Sequence, residues 1–338
     1  MVTTLLTEQP MLFDPEAPPK TWDYSKSSFN FIDLFAGIGG MRIAFESVGG
    51  KCVYTSEWDP NAQKTYEANF GEIPDGDITK VDENDLPDFD VLLAGFPCQP
   101  FSTIGKRAGF RHKTQGTLFY DVLRIIESKR PSSFLLENVK GLVSHDSGKT
   151  LRIILESLSS IGYQVQYRVL DAADFGVPQY RKRIYIVGFD ISKFKNELHF
   201  FWPKPSNEKV GIGKFIESGI EDHSISKHLQ KSYFDKLDDG RPQIVTSESD
   251  FPVKTLVSTY HKIQRLTGTF VKDGPTGVRL LTANECKAIM GFPKNFKIPV
   301  SRTQMYRQMG NSVAVPVVKA IAREISATLL NSKVIKKL

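Results

Sequence analysis

Three cysteines occur in the 338-residue chain, and only Cys98 stands in a setting that suggests chemistry. It lies in Gly95-Phe96-Pro97-Cys98-Gln99-Pro100-Phe101-Ser102, directly after the apolar run from Asp90 to Phe96. Prolines on both sides rigidify a loop rather than a core strand. A loop at the carboxyl end of a strand is where open α/β sheets bind their ligands. A lone thiol there is a candidate nucleophile, although by residue type alone it would also pass for a buried small hydrophobe. Cys52, in a strand-like run, and Cys286, in a helical one, read as packing residues. Three scattered cysteines supply neither a disulfide framework nor a zinc site, so no metal is expected.

A second constellation lies upstream. Phe31 to Phe35 reads as a strand, and Ala36-Gly37-Ile38-Gly39-Gly40 as a tight turn entering a helix, so the backbone there can approach a ligand closely. A dinucleotide fingerprint would place a glycine at position 42, where the chain has Arg42, so a nucleoside without phosphates fits better than a pyrophosphate. Glu57, twenty residues after Gly37, ends the second strand and could accept hydrogen bonds from both ribose hydroxyls. Trp58 offers a flat face to adenine, and Asp77, beside Ile78, could accept from an adenine amino group. A glycine turn followed by an acid can also merely end a strand and cap a helix. Convergence of all these groups on one sheet edge favours the ligand.

These residues need a scaffold of parallel strands covered by helices, an α/β, Rossmann-like arrangement. Strand-like runs occupy Phe31 to Phe35, Lys51 to Thr55, Asp90 to Phe96, Ser133 to Glu137, Gln164 to Leu170 and Arg183 to Phe189. Helices are expected at about Met41 to Val48, Asn61 to Phe70, Gly116 to Lys129 and Thr150 to Ile161. Residues 1–28, with Pro10, Pro15, Pro18 and Pro19, read as an extended N-terminal arm. Residues 29–189 form the main domain, and 190–278, where the rhythm breaks, a smaller irregular one. Residues 279–338 return to the first sheet through helices at Thr282 to Met290 and Val313 to Leu330.

The net charge of +6 is compatible with a polyanionic partner without naming one. Its distribution says more: Gln99 to Tyr120 holds Lys106, Arg107, Arg111, Lys113 and His112 and no acid, whereas 190–278 has thirteen Lys and Arg against twelve Asp and Glu. No run has the length of a membrane span, and the N-terminus lacks the basic start and apolar core of a signal peptide. A cytoplasmic location is expected.

The octapeptide around Cys98 resembles the catalytic motif of the DNA (cytosine-5) methyltransferases, and Phe35-Ala36-Gly37-Ile38-Gly39-Gly40 their cofactor motif. Further matches follow in the family's order: Glu137-Asn138-Val139, Gln179-Tyr180-Arg181-Lys182-Arg183-Ile184-Tyr185, and Arg279-Leu280-Leu281-Thr282 with Glu285. Gly291-Phe292-Pro293 and Gln308-Met309-Gly310-Asn311-Ser312-Val313 complete the series. The resemblance covers about residues 30 to 189 and 279 to 328 and is strongest to the compact enzymes of bacterial restriction-modification systems. It implies S-adenosylmethionine as cofactor, held by Phe35 to Gly40, Glu57, Trp58, Asp77, Ile78, Pro97, Asn311 and Ser312. It also implies double-stranded DNA as substrate, a companion restriction endonuclease and a monomeric enzyme. The smaller region becomes a target-recognition domain.

The implied chemistry needs these residue types. Carbon 5 of cytosine is a poor nucleophile until a thiolate, from Cys98, adds at carbon 6. Charge then builds toward ring nitrogen 3, where a buried, protonated Glu137 would donate, while Arg181 and Arg183 hold the carbonyl oxygen and favour the thiolate. Singly, Glu137 would pass for a cap partner or surface acid, and the two arginines for the solvent face of a strand.

A base inside a duplex must be rotated out, which assigns the loop from Gln99 to Thr117 as a lid. Gln99, Ser102, Lys106, Arg107 and Arg111 are its candidate DNA contacts. In the smaller region Thr255-Leu256 resembles the family's Thr-Leu element, and Thr255, Tyr260, Lys262 and Arg265 are candidate DNA-binding residues, with His261 and Gln264 among the same donors. Two other functions share much of this pattern: a transfer RNA cytosine methyltransferase and a DNA-binding regulator without catalysis. The RNA branch carries a Cys-Phe-Thr tripeptide that is missing here. Intact Cys98, Glu137 and both arginines argue against the regulator. A nicotinamide dehydrogenase would leave Pro97-Cys98-Gln99 unexplained.

Overall fold

Strands covered on both faces must be largely apolar, and Phe31, Ile32 and Leu34 of β1 (Phe29–Leu34), Val91 to Ala94 of β3 (Val91–Gly95) and Phe134 to Leu136 of β4 (Ser133–Val139) are fully buried. In the computed structural model, residues 28–97, 118–194, 198–234 and 239–331 are described. With β2 (Gly50–Ser56), β5 (Tyr163–Asp171) and β6 (Lys182–Asp190) these strands make a six-stranded sheet of order β2-β1-β3-β4-β6-β5. All six expected strands are present. Successive side chains go to opposite faces. Phe31, Leu93, Leu135 and Val187 join one apolar cluster, and Ile32, Leu92, Leu136 and Ile186 the other. The first face is covered by α1 (Gly40–Glu46) and α8 (Val315–Asn331), the second by α3 (Leu118–Lys129) and α4 (Lys149–Ser160). Each large apolar side chain buried there contributes about 1.5–3 kcal/mol.

The sheet is not wholly parallel. β6 runs antiparallel to both β4 and β5. Ten residues, 172–181, join β5 to β6 through a short 3₁₀ turn. A parallel return needs a crossover of about a dozen residues or more, so the strand doubles straight back.

α2 (Pro60–Phe70) starts where Asp59 accepts from the amides of Asn61 and Ala62, and Pro60 fills the first helical position. Between 190 and 278 regular structure is sparse: α5 (Lys227–Tyr233) and a parallel pair, β7 (Gln243–Val245) with β8 (Thr269–Val271). Phe200, Ile225, Val253 and Phe270 from this region share the apolar cluster of α1 and α8. Arg279, fully buried, couples it to α6 (Ala283–Met290) by donating to Asp273, to Glu285 and to the Glu217 carbonyl. Glu285 and Thr282 also form the capping box of α6.

The expected return of helices at 282–290 and 313–330 matches α6 and α8. Between them stands α7 (Arg302–Asn311), which the sequence reading did not foresee. Only Met305, Tyr306 and Met309 give it an apolar stripe, and its other side chains are mainly Arg, Gln, Thr and Asn. Its Gly310 lies where an added Cβ would stand 2.2 Å from the Ser258 amide nitrogen. Gly310→Ala is therefore expected to push α7 off the 257–258 segment, destabilising the fold by about 1–3 kcal/mol as overpacking does. A thermal unfolding scan that shows no loss would contradict this contact.

Candidate active site

The turn after β1 is shaped by contacts that the motif does not reveal. Gly39 caps α1 at φ 85°, and a Cβ there would lie 2.3 Å from the Phe70 ring. Gly39 is not among the residues lining the cavity described next, and the close approach of the Phe70 ring is what requires a glycine there. Arg42, in the place of a third glycine, is buried with its guanidinium 4.5 Å from the Phe70 ring centre and bonded to Glu46, Glu72 and Tyr66. No phosphate is needed to neutralise it.

A cavity of about 650 Å³ opens at the carboxyl end of β1, β2, β3 and β4. Of the residues assigned to a cofactor, Phe35, Ala36, Gly37, Ile38, Gly40, Glu57, Trp58, Asp77, Ile78, Pro97, Asn311 and Ser312 all line it. Glu57 is 8% exposed; one carboxylate oxygen accepts from the Gly37 amide and the other from the Asp59 amide, both at 2.8 Å. Each oxygen keeps a lone pair for a further donor. Burial raises the Glu57 pKa, against the pull of those amides. Trp58, 77% exposed, presents an uncovered ring at the rim. Asp77 spends one oxygen on the amide and hydroxyl of Thr79. Asp33, which the sequence reading passed over, lines the cavity at 1% exposure. One of its oxygens has no partner among the described residues, and burial pushes its carboxyl up to about 8. A nucleoside whose chain ends in an ammonium would satisfy the Glu57 oxygens, cover Trp58 and meet Asp33. The residues present fit S-adenosylmethionine.

The other end of the cavity holds Glu137, Arg181 and Arg183. Glu137, opposite Gly95 in the sheet, is 13% exposed at its side chain and lies 3.3 Å from Nε of Arg183. Burial raises its pKa, and the charges of Arg183 and Arg181 oppose that. Arg181, which lines the same cavity, donates to the carbonyls of Leu256, Gly310 and Ser312, so its fork clamps β6, the smaller region and the end of α7 together. Asn138 donates to the Phe96 carbonyl at 2.9 Å and so fixes the residues that lead into Pro97. Cys98, Gln99, Ser102, Lys106, Arg107 and Arg111 lie outside the described residues.

The candidates in the smaller region separate by environment. Tyr260 is a core residue, not a DNA contact: it is 3% exposed, its ring centre is 4.9 Å from that of Tyr306, and its hydroxyl donates to Thr269 and accepts from Leu281. Arg265 is committed to Asp239, which offsets its charge. Thr255 donates to the Tyr180 carbonyl, fastening the smaller region to the start of β6. Lys262 is exposed. Cys286 is buried and Cys52 half-buried in the same apolar cluster, which agrees with packing roles. No group of metal ligands is present among the described residues. None of their helices is long and apolar enough to cross a membrane.

Sheet and cavity together define an α/β protein whose cavity, suited to a nucleoside-bearing cofactor, also holds a buried acid and its arginine. The family described as C-5 cytosine-specific DNA methylase matches residues 29–327. The type II methyltransferase M.MspI of a Moraxella species is 60% identical over 307 residues, covering 91% of this chain and 72% of that protein. M.BsuFI of Bacillus subtilis is 59% identical over 309 residues, covering 91% and 75%. In fold, DNMT2 of Spodoptera frugiperda superposes with a TM-score of 0.71 at 22% identity, over 88% of this chain and 99% of that one. The chain belongs to the C-5 cytosine-specific DNA methylase family.

Proposed function

We propose that this cavity seats S-adenosylmethionine at its Glu57–Trp58 end and a cytosine rotated out of duplex DNA at its Glu137–Arg183 end. The reaction of the family, methylation of carbon 5 of cytosine in DNA, then follows from the chain's own groups. The Cys98 thiolate bonds to carbon 6. The displaced electron pair runs toward nitrogen 3, where Glu137 gives its proton, and Arg183 holds both that acid and the base's oxygen. When bound, S-adenosylmethionine supplies a methyl carbon activated by its sulfonium. Carbon 5 takes that methyl while the carbon–sulfur electron pair stays with the departing thioether, and the nitrogen 3 proton returns to Glu137; loss of the carbon 5 proton to a base or bound water then regenerates the ring double bond and expels the Cys98 sulfur as thiolate. Glu57 would take the ribose hydroxyls, Trp58 the adenine face and Asp33 the ammonium.

The observation that carries this reading is that Glu137 and Arg183 share one cavity with Glu57 and Trp58. The test is methyl transfer from labelled cofactor to duplex DNA and to transfer RNA. 5-Methylcytosine in the DNA alone is expected, and label only in the RNA would overturn the substrate. In a cell the product would protect host DNA from a companion restriction endonuclease, in the cytoplasm, with the enzyme acting as a monomer.

Glu57→Ala should weaken cofactor binding roughly 10- to 100-fold, since hydrogen bonds to a charged group contribute about 1.5–3 kcal/mol. Titration of the folded variant checks this, and unchanged affinity would remove Glu57 from the ribose site.

A further inference from the structure

On α7 the residues Gln304, Arg307 and Asn311 follow at i, i+3 and i+7 and so form one row. The helix's opposite side is locked: Met305, Tyr306 and Met309 are buried. Gln308 donates to the Asn61 carbonyl and accepts from Thr65 of α2. The row is therefore presented by a rigid element. Arg307 and Asn311 are exposed and line the cavity, and Oε1 of Gln304 is buried with no partner among the described residues.

Three cations line the cavity, and two are committed. Arg181 holds carbonyls and Arg183 holds Glu137. Arg307 has neither an ion pair nor a hydrogen bond among the described residues. The cavity's Asp59, which caps α2, is not within ion-pair distance of it. The loop from Gln99 to Thr117 contains no acid that could serve. An unpaired, always-charged guanidinium where a cavity meets solvent is suited to a doubly liganding anion. A cytosine turned into this cavity keeps its phosphates outside it in solvent, and Arg307 both lines the cavity and is exposed to solvent.

We infer that Arg307 binds the DNA backbone beside the flipped cytosine. The inference rests on the placement of cytosine proposed above. Phosphate contacts of this kind position the duplex and carry no sequence information.

The experiment measures affinity for duplex DNA over a range of salt concentrations, and affinity for S-adenosylmethionine, in Arg307→Ala, Arg307→Lys and the unaltered protein. The Ala variant should bind DNA about tenfold more weakly at every sequence, with a slope of log affinity against log salt reduced by about 1. Cofactor affinity should not change. The Lys variant should keep the slope, because its charge remains, and lose part of the affinity. An unchanged slope in the Ala variant overturns the inference, as does loss of cofactor affinity at an unchanged slope, which would assign the guanidinium to the cofactor carboxylate. Covalent capture of the unaltered protein on DNA bearing 5-fluorocytosine is scored alongside. Capture with an unchanged Arg307→Ala slope indicts Arg307 alone, and absence of capture indicts the placement of the base.

Discussion

The Cys98→Ala protein is expected to transfer no measurable methyl group to DNA, a loss of roughly 10⁴-fold or more, while binding its cofactor as before. Losses on this scale accompany removal of a covalent nucleophile, because the remaining groups act on an intermediate that no longer forms. Without sulfur at carbon 6, carbon 5 stays part of an aromatic ring and has no electron pair to offer. Glu57, Trp58 and Asp77 stand on other strands and turns, so the cofactor end should be untouched. DNA with fluorine at carbon 5 separates this step from all later ones. The native protein should accumulate a covalent complex on it, since no proton is present to leave, and Cys98→Ala should form none. An alanine variant that still methylates, or still crosslinks, would take Cys98 out of the mechanism.

Much of the fold was legible because burial on both faces dictates composition. The central residues of β1, β3 and β4 must be apolar, and turns rich in glycine and proline punctuate the strands. The direction of β6 was not legible, since a strand reads the same either way and only the short link from β5 settles it. α7 was missed for a related reason: its outward row is a polar surface lining a cavity, which blurs the helical period. Arg307 was hidden with it.

The glycine turn, Glu57 and Glu137, which line one cavity, were legible as candidates because each lies at or near the carboxyl end of a strand, where ligands gather. Side-chain partners distant in sequence could not. Arg265 looks like a base reader until Asp239, 26 residues away, is placed against it. Tyr260 carries a polar tip beside other donors, yet Thr269 and Leu281 occupy its hydroxyl. Arg181 and Arg183, two residues apart, read as a pair, but their environments divide them into a clamp on three carbonyls and a partner for the acid.

Glu137→Gln is expected to slow methyl transfer by about 10²–10⁴-fold, the range of a general acid's contribution, and to change the pH profile as well. In the proposed reaction the carboxyl acts in its protonated form. Burial raises its pKa while Arg183 and Arg181 pull it down, and the net direction is up. The active, protonated fraction therefore falls as pH rises through that raised value, so single-turnover rates of the native protein should decline on the alkaline side. An amide can still donate a hydrogen bond to nitrogen 3 but cannot surrender a proton to it, so the Gln variant should be slow at every pH and lack the decline that Glu137 imposes. Glu137→Ala, with no donor at all, should be slower still. If the Gln variant kept the native rate, or showed the same alkaline decline, proton donation would have to come from another group, and the raised pKa of Glu137 would be only a consequence of its burial.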